Sequence, residues 1–167
     1  YIALIKPYID VPLVKILVGV RRCGKSCLMQ CIAEELRAEG VDDEHIIFFD
    51  LDRYGYRSIK APEQLEALIE PLLAISETKY LFIDEVQNVG GFEDVLNGFR
   101  TEGGFSIFIT GSNSYLLSGE LATKLTGRYI EFEMQTLDFD AASSGIDALV
   151  EELGGYFQQS STSNGSS

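Results

Sequence analysis

Positive charge is scarce in this sequence. Thirteen lysines and arginines stand against 26 aspartates and glutamates, a formal net charge of −13. A chain of that sign does not hold DNA or anionic lipid through its bulk field. Nucleic-acid and membrane partners are therefore not expected, and any anion site has to be local. Cysteine is scarce too, and the odd number of three excludes a self-contained disulfide framework. Cys23, Cys27 and Cys31 recur every fourth position, which puts Cys27 and Cys31 on one face of a helix. No second Cys or His pair follows at metal spacing, so they read as small apolar packing in a reducing cytosol. The single histidine, His45, opens an apolar run and reads as structural. No apolar run reaches the roughly 20 residues that span a bilayer, and no signal-peptide pattern is present. A cytoplasmic protein is expected. The first residue is Tyr1 rather than Met, as in a processed or truncated fragment, so a missing leader carries little weight.

What the sequence has in quantity is apolar runs separated by helical patterns. Its 167 residues, 46% of them hydrophobic, suffice for one domain with a core. "LVKILV" (13–18), "HIIFFDLD" (45–52), "KYLFID" (79–84) and "FSIFIT" (105–110) have the length of buried strands, and "RYIEFEM" (128–134) alternates. Leu28, Ile32 and Leu36 recur with helical spacing until Gly40. Leu65, Leu68, Ile69 and Leu72 do the same across 61–75, where Pro62 suits a first turn and Pro71 should kink or break the helix. Shorter helices are expected at 1–10, 90–100 and 112–125, the last with Ser112 or Asn113 as its N-cap. Strands alternating with helices predict an α/β fold of three layers around a five-stranded parallel sheet. Beyond Phe139 the signal fades into room for one helix (146–157) and a polar tail. The division expected is a nucleotide-binding domain over 1–139 and an atypical C-terminal segment over 140–167.

The scarce positive charge is concentrated in "GVRRCGKS", residues 19–26. The stretch fits G-x-x-x-x-G-K-[ST], with a buried strand before it and a helix after it, the context of a phosphate-binding P-loop. Such a loop turns backbone N–H groups inward, and the helix N-terminus adds partial positive charge. Gly19, Gly24 and Lys25 are the expected phosphate holders, with Arg22, Cys23 and Cys27 contributing backbone. Lys25 is expected at the β- and γ-phosphates and the Ser26 hydroxyl at Mg²⁺. Arg21 and Arg22 raise the local potential from the surface.

A second motif ends the run "KYLFIDEV". Asp84, at the carboxyl end of a strand, is placed to hold Mg²⁺. Glu85 is the adjacent carboxylate that would polarise an attacking water. No Asn-Lys-x-Asp pattern for reading guanine is present, which favours ATP over GTP.

"GVRRCGKS", "YLFIDEVQ", "FITGSNSYLL" and "LTGRY" together resemble the AAA-type ATPase domain of prokaryotic ATP-binding proteins related to the archaeal ATPases, within the wider AAA+ group. The resemblance spans about residues 1–139. It implies ATP and Mg²⁺ as ligands and a sheet of order 5-1-4-3-2. It implies a γ-phosphate sensor at the end of the fourth strand, Thr110 or Ser112. It also implies that Arg128 is an arginine finger acting on a neighbour's nucleotide, so that a second copy or a companion protein completes the site. Gln87, just after the acidic pair, is expected mainly in solvent, with a contact to water or phosphate as the alternative. The large C-terminal region of such relatives has no counterpart after Phe139. Two functions follow: an ATPase that drives or switches a partner, and a nucleotide-binding module with negligible turnover. A small-molecule kinase would need a lid segment that the sequence does not show.

Overall fold

The apolar runs form one parallel sheet: β1 (Val14–Gly19), β2 (Ile46–Asp50), β3 (Lys79–Asp84), β4 (Phe105–Thr110) and β5 (Tyr129–Met134). The spatial order is β2-β3-β4-β1-β5, which is the expected 5-1-4-3-2 read from the other edge. The computed structural model describes residues 2–19, 24–111, 116, 119–125 and 127–134. The segment 140–167 and the proposed N-cap at Ser112 or Asn113 lie outside the described residues.

Five α-helices accompany the sheet among the described residues: α1 (Ile2–Ile5), α2 (Lys25–Ala38), α3 (Pro62–Ile69), α4 (Phe92–Glu102) and α5 (Gly119–Leu125). Parallel crossovers are right-handed. The chain steps from β1 across to the β2 edge through α2, then returns through β3, β4 and β5 in the opposite direction. Reversing the direction puts α2 on one face and α3, α4 and α5 on the other. The side-chain alternation of the strands agrees. Val14, Ile16 and Val18 join a core with Leu65 and Ile69 of α3, Phe92 and Leu96 of α4, and Leu121 and Leu125 of α5. Leu17, Phe82 and Phe108 join the other core with Ile2 and Ile5 of α1 and Leu28, Ile32 and Leu36 of α2. Pro71 acts as expected: α3 stops at Ile69 and the chain continues as a 3-10 turn over Glu70–Ala74.

One strand position defies its setting. Lys15 lies in the middle of the apolar run of β1 and is fully buried. Under α2, Phe48, Phe82 and Phe108 face one another in register across three strands, with ring centroids 4.6 and 4.8 Å apart. Lys15 continues that row, its Nζ 5.1 Å from the Phe108 ring centroid. The ammonium donates to Ile9 O (3.0 Å), Val11 O (2.9 Å) and Ser106 Oγ (3.0 Å). It thereby ties the N-terminal segment to the sheet, helped by Tyr80, whose hydroxyl donates to Asp10 Oδ1 at 3.0 Å.

Burial pushes the Lys15 ammonium from an ordinary 10.5 down to about 8, against a smaller upward pull from Asp10. The folded value lies below the unfolded one, so between them the unfolded chain holds the extra proton. Unfolding free energy therefore rises as pH climbs through that window and is lowest below it. In urea melts from pH 7.5 to 10.5, wild type should gain on Lys15→Met by about 3 kcal/mol. Comparing the two chains cancels Cys31 and Tyr80, which burial pushes up to about 11 and about 12 and which titrate with the opposite sign. A difference that stays constant with pH would count against the buried ammonium.

Candidate functional site

The carboxyl ends of β1, β3 and β4 bring the two motifs together. Gly24 caps α2 with φ +94°. Among the described residues a Cβ there would meet only Met134 Cε at 3.9 Å, and the left-handed backbone itself favours glycine. Lys25, Ser26 and Cys27 are the first residues of α2, the end of a helix whose N–H groups have no acceptor within the helix. Lys25 is buried, 9% exposed. Its Nζ donates to Gly19 O at 2.7 Å and Gly111 O at 3.2 Å.

Ser26 and the acidic pair form one hydrogen-bonded chain. Ser26 Oγ donates to Asp84 Oδ2, and Thr110 Oγ1 donates to Asp84 Oδ1. Thr110 Oγ1 in turn accepts from the Glu85 N–H at 3.1 Å. Both Asp84 oxygens are thus aimed by neighbours. A hydroxyl beside a carboxylate is a hard-oxygen donor set, which fits Mg²⁺. Glu85 follows at φ +60°, ψ 48°, a left-handed conformation that costs a non-glycine residue about 1 kcal/mol. It turns the chain sharply off the end of β3.

The expected site residues divide three ways. Gly19, Gly24, Lys25, Ser26, Cys27, Asp84, Glu85 and Thr110 gather at this end of the sheet. Arg22, Cys23 and Ser112 lie outside the described residues. Arg128 does not join them. It precedes Tyr129, which pairs with Val14, whereas Met134 pairs with Gly19. Arg128 therefore stands the length of β1 from the loop, roughly 17 Å away. It is exposed, and its side chain makes no hydrogen bond or ion pair among the described residues.

Two expectations need correction. Gln87 is half-buried and not mainly in solvent, because its amide folds back onto Glu85 and donates to Oε2 at 2.6 Å. The cysteines also part company: Cys31 packs in the core with Leu28 and Ile32, but Cys27 is exposed.

Sequence reasoning missed two features. One is Gly111, whose carbonyl meets Lys25 and whose Cα leaves room for Gln87. The other is a cleft of about 490 Å³ on the β2 side, lined by Ser26, Cys27, Asp50, Tyr56 and Asp84 among others. Asp50 and Asp84 lie side by side in register at the ends of β2 and β3. The glycine directly after an apolar strand was a signal that could have been weighed. The cleft was not visible before the strand order was known.

A parallel sheet of this order, with a P-loop after β1 and an acidic pair after β3, defines an AAA-type P-loop fold. The chain belongs to the AAA domain family, whose family model matches residues 12–142. It is a nucleotide-binding module of the ATPase type. An uncharacterized protein of Haemophilus influenzae is 36% identical over 157 residues, covering 88% of this chain and 39% of that protein. An uncharacterized protein of Methanocaldococcus jannaschii is 37% identical over 131 residues, covering 75% of this chain and 27% of that protein. The chain thus spans well under half the length of these relatives. A DNA polymerase III gamma-subunit-related protein of Thermotoga maritima shares the fold, with a TM-score of 0.63 at 8% identity, over 96% of this chain and 57% of that one. Among the described residues no helix is long and apolar enough to cross a membrane.

Proposed function

We propose that this domain binds Mg²⁺-ATP at the carboxyl ends of β1, β3 and β4 and hydrolyses the γ-phosphate bond to drive or switch a partner. The observation that carries the reading is the hydrogen-bonded chain from Ser26 through Asp84 and Thr110 to Glu85, set beside the buried Lys25. Gly19, Gly24 and the start of α2 would cradle the phosphates. Lys25 would exchange its two carbonyl acceptors for β- and γ-phosphate oxygens. Ser26 and Asp84 would hold Mg²⁺, which when bound neutralises charge on the phosphates. Thr110 keeps Asp84 and Glu85 in register with each other. Glu85 would accept a proton from a water attacking the γ-phosphorus, with ADP leaving on the opposite side.

The position of Arg128 supports a second reading. At the far end of its own sheet it cannot reach its own nucleotide, so a chain without a neighbour would bind and scarcely turn over. Both readings are tested by titrating a fluorescent ATP analogue with and without Mg²⁺ and following phosphate release across a hundredfold range of protein concentration. Mg²⁺-dependent binding with release per chain that rises with concentration is the expected result. Binding without release at any concentration favours the passive module. Absence of binding refutes both.

A further inference from the structure

Gln87 sits in the 3-10 turn Val86–Asn88 that follows the acidic pair. Its amide is held from both ends. The Nε2–H donates to Glu85 Oε2 at 2.6 Å. The Oε1 end lies against Gly111, where a Cβ would come within 2.6 Å of it, far inside normal contact. The carbonyl of that same Gly111 accepts from Lys25 Nζ. The backbone at 111 is therefore shared between the lysine of one motif and, through Gln87, the glutamate of the other. Gly111 has no positive φ to explain its lack of a side chain. The space a side chain would take is filled by the end of the Gln87 amide on one side and by Leu116, whose Cδ1 would be 3.1 Å away, on the other, so an added Cβ would have to displace them.

We propose that Gln87 is a positioning residue for the water-activating step: it fixes the Glu85 carboxylate, and Gly111 is a glycine so that it can. The proposal rests on the reading of Glu85 as the general base. A carboxylate has two oxygens. An amide N–H on Oε2 sets the plane of the group and leaves Oε1 to accept from water. Without that donor the glutamate side chain regains rotamer freedom, and a base displaced by about 1 Å loses rate by up to about a hundredfold. A glutamine that merely shaped its own turn would need nothing of residue 111. Nor would it depend on being a donor.

The test compares Gln87→Ala, Gln87→Glu, Gly111→Ala and the double variant Gln87→Ala/Gly111→Ala. Gln87→Ala should lower kcat tenfold to a hundredfold and leave ATP affinity within about twofold. Gln87→Glu keeps the shape but offers no donor and sets a second carboxylate against Glu85, so it should not restore kcat. Gly111→Ala should lower kcat by displacing the amide, and the double variant should be no slower than the slower single one, as expected for two routes to one displacement. Unchanged kcat in Gln87→Ala, full activity in Gln87→Glu, or losses that multiply in the double variant would overturn the proposal. A measurement independent of turnover accompanies it. The Gln87 side-chain amide resonances, assigned by their loss in Gln87→Ala, should be shifted from free-glutamine values in wild type and return to them in Glu85→Ala. Free-glutamine values in wild type overturn the proposal. If wild type binds Mg²⁺-ATP but releases no phosphate, the hydrolysis reading is what fails, and the amide resonances still decide whether Glu85 is held.

Discussion

Lys25→Ala should weaken Mg²⁺-ATP binding about a hundredfold or more, the largest loss of affinity from any single substitution in the chain. In the free protein the ammonium is buried and satisfied by Gly19 O and Gly111 O. Binding exchanges two neutral carbonyl acceptors for anionic phosphate oxygens, which adds the attraction of opposite charges to bonds that the ammonium already strengthens. A hundredfold corresponds to about 2.7 kcal/mol, within the range for such a bond. The surroundings increase the dependence. The net charge of the chain is −13, so a triphosphate gains nothing from the long-range field and relies on the loop. Lys25→Arg should not restore affinity, because a guanidinium is too large for a site that leaves the side chain 9% exposed. The check is calorimetric titration at fixed ionic strength, with thermal melting to show that the variant is folded. Affinity within threefold of wild type would remove Lys25 from the phosphate site.

Glu85→Gln should leave nucleotide binding almost intact and reduce phosphate release about a thousandfold, inside the usual range for removing a general base. The substitution is nearly isosteric. The backbone N–H of residue 85 still meets Thr110 Oγ1, and the new side-chain carbonyl can still accept from Gln87. The arrangement survives, but an amide cannot take a proton from water. Asp84→Asn provides the contrast. Both Asp84 oxygens are engaged, by Ser26 and Thr110, so an amide there places a donor against a donor and weakens the proposed metal position. That loss should appear as a weakened Mg²⁺ dependence of ATP binding. Single-turnover release with saturating Mg²⁺-ATP separates the two variants. Persistent turnover in Glu85→Gln would assign the base elsewhere.

The parts of this architecture that rest on local chemistry were legible in the residues. Pro71 ends α3 because a ring clashes with the preceding turn wherever the helix lies. The runs at 79–84 and 105–110 read as strands because a strand buried on both faces, wholly or nearly so, carries no alternating polar face. The pairing of "GVRRCGKS" with "FIDE" pointed to phosphate and metal before any strand was placed. Strand order was another matter: periodicity says nothing about which strand neighbours which, and only family resemblance supplied it. Lys15 could not be anticipated, since its three acceptors come from a turn and from β4. Gln87 was misjudged for a related reason. Its flanking residues, buried Val86 and half-buried Asn88, do not decide its exposure, whereas Gly111, which β4 delivers from far along the chain, does.

The uniform direction of the strands has a consequence for assembly. Loop and acidic pair occupy one pole of the sheet, and Arg128 marks the other. If that arginine completes a neighbour's site, each molecule must present its tail pole to the next molecule's head pole. Two copies can satisfy that by lying antiparallel about a two-fold axis, each lending its arginine to the other. Copies that all run the same way instead propagate with a constant rotation until they close into a ring or run on as a filament.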